Sequence, residues 1–212
     1  WIEKVPAIIE GWYPGQEGGH VIADIIFGDL NPSGKLPLTF PHKLNQSPAH
    51  ISERRYSNNR KIYYDEGIYV GYRFFDKENI EPLFPFGFGL SYTNFAYKNL
   101  KLSSPKISKN ESLIISLEII NSGNRDGSEI VQLYLQKSKV TGKKPVKQLK
   151  AFEKIYLKKG EQHRIEFKLN TNHLEYFNEE TNDWKVDEGE YRILIGSSSA
   201  AIKLEKSFLY QR

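Results

Sequence analysis

The stretch Glu188-Gly-Glu-Tyr-Arg-Ile-Leu-Ile-Gly196 opens on a turn signal, Glu188-Gly189, and then sets Tyr191, Ile193 and Ile195 at every second position. That period of two marks a strand with one face buried. Ile165, Phe167 and Leu169 repeat it. Similar short runs occupy residues 95–102, 113–120, 130–135, 151–157, 184–186 and 202–209. Asn121-Ser-Gly-Asn124, Asp126-Gly127 and Lys159-Gly160 punctuate them as turns. About seven short strands with no helix-period segment predict a mainly β fold, an immunoglobulin-like antiparallel β-sandwich over residues 93–212.

Upstream the character changes. Residues 46–92 show little periodicity but are crowded with aromatics, in segments such as Tyr69-Val-Gly-Tyr-Arg-Phe-Phe75 and Pro85-Phe-Gly-Phe-Gly-Leu-Ser91. Rings bury much area and glycines let backbones approach, so this zone reads as an irregular linking arm between two domains. Residues 1–45 read as a β-α-β unit. Val5–Ile9 is one strand and Leu36, Leu38 and Phe40 mark the other. The helix between them spans Gln16 to Phe27, with Val21, Ile22, Ile25 and Ile26 on one face and Gly28 as its stop. A parallel pair needs further strands and helices on both faces. The predicted α/β remnant is therefore short of cover, and its apolar face is expected to lie open. The chain also has no Met and opens Trp1-Ile-Glu, which predicts a piece of something longer.

With 39% hydrophobic and 26% charged residues, the 212-residue composition is that of a globular protein. No apolar run is long enough for a transmembrane helix, so no membrane partner is expected. The absence of Cys excludes a disulfide scaffold and a thiolate nucleophile. The net charge of +4 is uneven, because Lys137, Lys139, Lys143, Lys144, Lys147 and Lys150 cluster in one stretch. A basic patch suits nucleic acid, but no aromatics interleave with these lysines. They read as a solvated loop and a lysine-blunted edge strand, with no nucleic-acid partner. His20, His42, His50, His163 and His173 have no ligand spacing, so no metal is expected, and Gly87-Phe-Gly89 lacks the third glycine of a dinucleotide loop. The triplets Asn45-Gln-Ser47 and Asn110-Glu-Ser112 permit N-glycosylation and are given no role.

Three segments of the sandwich zone are distinctive: Asp126-Gly-Ser-Glu-Ile-Val-Gln-Leu-Tyr134, Pro145-Val-Lys-Gln-Leu-Lys-Ala-Phe152 and Tyr191-Arg-Ile-Leu-Ile-Gly-Ser-Ser-Ser199. They resemble the fibronectin type III-like domain that closes many enzymes of glycoside hydrolase family 3. Trp12-Tyr-Pro-Gly-Gln-Glu-Gly-Gly19 with Ala23-Asp-Ile-Ile-Phe-Gly-Asp-Leu-Asn-Pro-Ser-Gly-Lys-Leu-Pro37 resembles the end of that family's α/β sandwich domain. Tyr69-Val-Gly-Tyr-Arg-Phe-Phe-Asp76 and Pro82-Leu-Phe-Pro-Phe-Gly-Phe-Gly-Leu-Ser-Tyr92 resemble its linking segment. The resemblance covers essentially the whole chain, in the family's order.

It implies the C-terminal portion of a retaining β-glycosidase, β-glucosidase-like, that needs no cofactor. In the family the nucleophile is an Asp on a preceding (β/α)₈ barrel, and the acid/base is commonly a Glu upstream of the Trp-Tyr-Pro-Gly loop. Neither motif lies in residues 1–212, so no catalytic residue is assigned here. The implied partners are the barrel, the rest of the α/β domain and a β-linked glycoside. Trp12, Tyr13, Gln16 and Glu17 are the substrate-loop candidates, because the turn they form follows a strand and opens a helix, where ligands bind in open α/β sheets. Glu17 has three readings: a carboxylate bonded to the turn's amides at the helix start, a border of the sugar site, or a catalytic group. Trp12 either packs on the helix or, with Tyr13, stacks on a sugar. Asp65 and Glu66 are expected to pair with Arg54, Arg55 or Arg60, and Glu179, Glu180 and Asp183 to lie in an exposed turn. The alternative class is a non-catalytic carbohydrate- or protein-binding sandwich module.

Overall fold

The alternating runs become strands. In chain order they are β1 (Phe95–Leu102), β2 (Lys106–Ile107), β3 (Ser112–Asn121), β4 (Gly127–Lys137) and β5 (Gln148–Leu157). After these come β6 (Gln162–Asn170), β7 (Tyr176–Asn178), β8 (Asp183–Lys185), β9 (Gly189–Gly196) and β10 (Ile202–Tyr210). The computed structural model describes residues 2–52, 54–55, 61–139 and 142–212. One sheet has the order β1-β3-β6 and the other β2-β10-β9-β4-β5, with β7-β8 a separate hairpin. Every pairing is antiparallel except that of β2 with β10. The seven long strands are those the sequence pattern predicts, and β2 and β7 are additional.

Register decides which side chains make the core. Leu113, Ile115, Leu117 and Ile119 of β3 are buried against Val131 and Leu133 of β4, Ile165 and Leu169 of β6, and Ile193 and Ile195 of β9. Burying each such side chain contributes about 1.5–3 kcal/mol. A slip of one residue would turn the whole set to solvent.

Two compact units divide the chain, Trp1–Pro32 and Ser33–Arg212. In the first, helix α1 (Gly18–Phe27) forms as expected and ends at Gly28 in the left-handed conformation, whose N–H donates to the Ile25 carbonyl. Val21, Ile22, Ile26 and Phe27 on α1, and Val5, Ile8 and Ile9 before it, are exposed. The strands expected on either side of α1 are not formed. Residues 5–9 belong to no ladder among the described residues, and of residues 36–40 only Phe40 makes a bridge, with Phe84. Parallel strands depend on paired neighbours and helical cover, and Pro6 and Pro37 each remove an N–H from these runs.

The arm also differs from the expectation, because it contains a second helix, α2 (Tyr72–Glu78), with Phe74 and Phe75 buried. From Ser33 onward it packs with the sandwich. Tyr72 lies against Phe86 (5.1 Å) and edge-on to Tyr134 (5.8 Å), and its hydroxyl accepts the Leu149 N–H at 2.9 Å. Asp76 pairs with Lys147 at 2.5 Å and Lys35 with Glu129 at 2.9 Å. Burial pushes the Asp76 carboxyl above its ordinary value, and the bond and charge of Lys147 offset only part of that.

The buried Gln132 amide completes the junction. It donates to the carbonyls of Gly87 (3.2 Å) and Ser197 (2.9 Å), while its Oε1 accepts the Tyr134 hydroxyl at 2.6 Å. Gly87 has φ +81°, and a Cβ there would stand 2.2 Å from Gln132 Oε1. Glycine is required for both reasons.

Candidate functional site

The four substrate-loop candidates occupy one turn ahead of α1. Gly15, at φ +72°, turns the chain, and its carbonyl accepts the Gly18 N–H at 3.3 Å. A Cβ on Gly18 would meet the Pro14 ring at 2.6 Å, so glycine lets the turn close on the helix start. The Glu17 carbonyl then accepts the Val21 N–H at 3.0 Å, the first regular bond of the helix.

On this frame the side chains stand in solvent. Tyr13 is 99% exposed and Trp12 49%, and Gln16 is also exposed. Trp12 has φ +48°, and its N–H donates to Glu10 Oε1 at 3.0 Å. A bulky residue in the left-handed region costs on the order of 1–2 kcal/mol, and such strain gathers at ligand sites. Nothing in α1 covers the indole enough to bury it. Glu17 is the helix N-cap residue, yet its carboxylate makes no cap bond to the amides of the turn, against the first of its expected roles. It binds His20 Nδ1 at 2.6 Å instead, with 75% of its side chain open to solvent.

Asp65 and Glu66 have the arginine partners expected of them. Arg54 pairs with Asp65 at 3.3 Å and stacks on the Tyr63 ring, and Arg55 lies 3.9 Å from Glu66. Arg60, the third expected partner, lies outside the described residues. Glu179, Glu180 and Asp183 are exposed, as the turn composition predicts. Among the described residues no group of three His, Cys, Asp or Glu is placed to hold a metal.

The lysine cluster is less solvated than its sequence suggests. Lys137 donates to the carbonyl of Glu188 at 2.5 Å and lies over the Tyr191 ring. Lys144 pairs with Asp187 and covers the Tyr176 ring at 3.5 Å. Burial pushes Asp187 upward, but bonds from Lys144 and Tyr176 outweigh it and hold the carboxyl below its ordinary value. Burial and the charge of Arg73 lower Lys150. Lys150 and Lys154 do lie on β5, the edge strand of the larger sheet.

Two features escaped the sequence reading. Gln132 sits inside the apolar run Ile130-Val-Gln-Leu-Tyr134, and a lone amide in such a run is itself a sign of a buried polar contact. Phe177 is the strand partner of Trp184, and no period marks it in the sequence. Their rings meet at 5.6 Å on β7 and β8, and the aromatic pair Tyr176-Phe177 was the available signal.

Comparison with known proteins gives the family. Residues 1–72 match the glycosyl hydrolase family 3 C-terminal domain, and residues 129–199 match the fibronectin type III-like domain. Thermostable beta-glucosidase B of Acetivibrio thermocellus is 42% identical over 207 residues, 98% of this chain and 27% of that protein. The periplasmic beta-glucosidase of Salmonella typhimurium is 40% identical over 205 residues, 95% of this chain and 26% of that one. The Kluyveromyces marxianus beta-glucosidase crystallised with glucose superposes with a TM-score of 0.91 at 37% identity, covering 100% of this chain and 25% of the other. Beta-glucosidase 3B of Thermotoga neapolitana, in complex with alpha-D-glucose, gives 0.90 at 39% identity, with 99% and 29% covered. The chain thus spans between a quarter and three tenths of the length of these relatives.

Proposed function

The chain belongs to glycoside hydrolase family 3, matching the C-terminal part of that family's enzymes, and from this we propose that it completes a retaining β-glycosidase of the β-glucosidase type. The observation that carries this reading is 42% identity with a β-glucosidase along 98% of the chain. Retention requires a nucleophile and an acid/base about 5–5.5 Å apart across one glycosidic bond. Neither is assigned to residues 1–212, so the barrel and the rest of the α/β domain supply them in the complete enzyme. This segment contributes the turn of Trp12, Tyr13, Gln16 and Glu17, which borders the sugar, and the sandwich that carries the arm. By sequence character we place the domain limits at residues 45 and 92, while residues 33–45 pack in one unit with the sandwich.

In this arrangement Trp12 and Tyr13 offer ring faces to the apolar side of a pyranose, and the Glu17 carboxylate accepts its hydroxyls. The strained Trp12 backbone and the nearly complete exposure of Tyr13 support that role. Grafting tests it. Residues 1–212 replace the matching segment of the Acetivibrio thermocellus β-glucosidase, and aryl β-glucoside hydrolysis is measured. An active chimera is expected, with Trp12→Ala raising KM more than it lowers kcat. A folded chimera without turnover would overturn the proposal.

A further inference from the structure

The β7–β8 hairpin has three residues in each strand, and a ribbon that short is marginal in water. One face is anchored. The Tyr176 hydroxyl donates to Asp187 Oδ1 at 3.0 Å, and Lys144 holds the other carboxylate oxygen. The opposite face carries Phe177 and Trp184, directly paired across the strands with their rings at 74°. They remain 46% and 60% exposed.

Size and chemistry narrow what such a face accepts. An aromatic side chain presents about 150–250 Å², so the pair leaves open on the order of 200 Å². A specific protein interface takes about 800 Å² from each partner. The patch is thus too small for a protein and suits one or two sugar rings. Phe177 stands edge-on to the indole and fixes its tilt, which lowers the ordering cost of binding. Beside this face lies the exposed polar turn Glu179-Glu-Thr-Asn182, which joins β7 to β8. A half-open indole beside a polar turn matches a ligand with an apolar C–H face and a rim of hydroxyls.

We propose that this hairpin is a carbohydrate-contact site, with Trp184 stacking on a pyranose of a β-linked gluco-oligosaccharide. The choice of glucose as the sugar rests on the β-glucosidase reading; the stacking site itself does not.

The test is an NMR titration of the 212-residue chain with cellotriose. The Trp184 indole N–H resonance, identified by its loss in Trp184→Phe, is expected to shift saturably with a Kd on the order of 1 mM. Trp184→Ala should raise the Kd by about tenfold at unchanged melting temperature, and Phe177→Leu, which keeps the indole, by several-fold. No shift at about 20 mM cellotriose overturns the proposal, as does binding that persists undiminished in Trp184→Ala. A rise in mass with protein concentration that Trp184→Ala abolishes would assign the patch to a second copy and overturn it too. An inactive chimera with a shifting Trp184 defeats only the enzymatic reading, and an active chimera with a silent Trp184 defeats only this one.

Discussion

Gly87→Ala is predicted to loosen the arm from the sandwich. Gly87 has φ +81°, and the left-handed region costs an L-residue about 1–2 kcal/mol. The new Cβ would stand 2.2 Å from Gln132 Oε1 and 2.8 Å from its Cδ, so the buried amide must move. That amide donates to Gly87 and Ser197 and accepts from Tyr134, and each bond contributes about 0.5–1.5 kcal/mol net. The terms share one residue and do not add fully, so the expected loss is about 2–4 kcal/mol, a fall of roughly 5–15 °C in melting temperature for a chain of this size. Urea and thermal unfolding of residues 1–212 measure it, with Gly19→Ala as control, because a Cβ at Gly19 meets nothing within 4 Å. Hydrogen exchange should show residues 72–78 losing protection first. A loss below about 1 kcal/mol, with α2 as protected as before, would refute the account of the junction.

Other substitutions probe separate links. Ile115→Ala, at a fully buried β3 position, should cost about 2–5 kcal/mol in urea unfolding. Asp187→Asn should destabilise the chain by about 1–3 kcal/mol above pH 5, because two hydrogen bonds to a charged carboxylate weaken. The folded-state value of Asp187 lies below its ordinary 3.8, so this stabilisation is complete above 3.8 and drains away as pH falls through the lower value. Melting curves of the variant and the parent should therefore converge in strong acid. Trp12→Gly should leave stability unchanged or raise it by about 1 kcal/mol, because glycine accepts φ +48° freely, while raising the KM of the chimera. A clear destabilisation would show that the indole is a packing residue.

The sandwich was legible because its strands bury one face. Ile165, Phe167 and Leu169 alternate in sequence and are buried in β6, with the residues between them exposed. β2 was not legible, since two residues carry no period. α2 was hidden for a related reason: seven residues make two turns, and the consecutive Phe74 and Phe75 blur any amphipathic spacing. Around α1 the apolar runs resemble strands, but a run becomes a strand only with a continuous neighbour to pair, and in the second run Leu36 bonds only Gly87 and Phe88 and Phe40 only Phe84. At the candidate site, composition located the turn of Trp12 to Glu17 but not its details. The bond from Glu17 to His20 rather than to the amides depends on rotamers, and the left-handed Trp12 breaks a local preference. The docking of Gly87 on Gln132 joins residues 45 apart and is visible only in three dimensions.

The most direct measurement is the rate of aryl β-glucoside hydrolysis by residues 1–212 alone. The chain offers a turn proposed to border the sugar but no assigned pair of carboxyl groups at the spacing that retention requires, and Glu17 is bonded to His20 in open solvent. The predicted result is no turnover above buffer, beside an active chimera built from the same segment. Turnover by the isolated chain that disappears in Glu17→Gln would contradict the account and make Glu17 a catalytic residue.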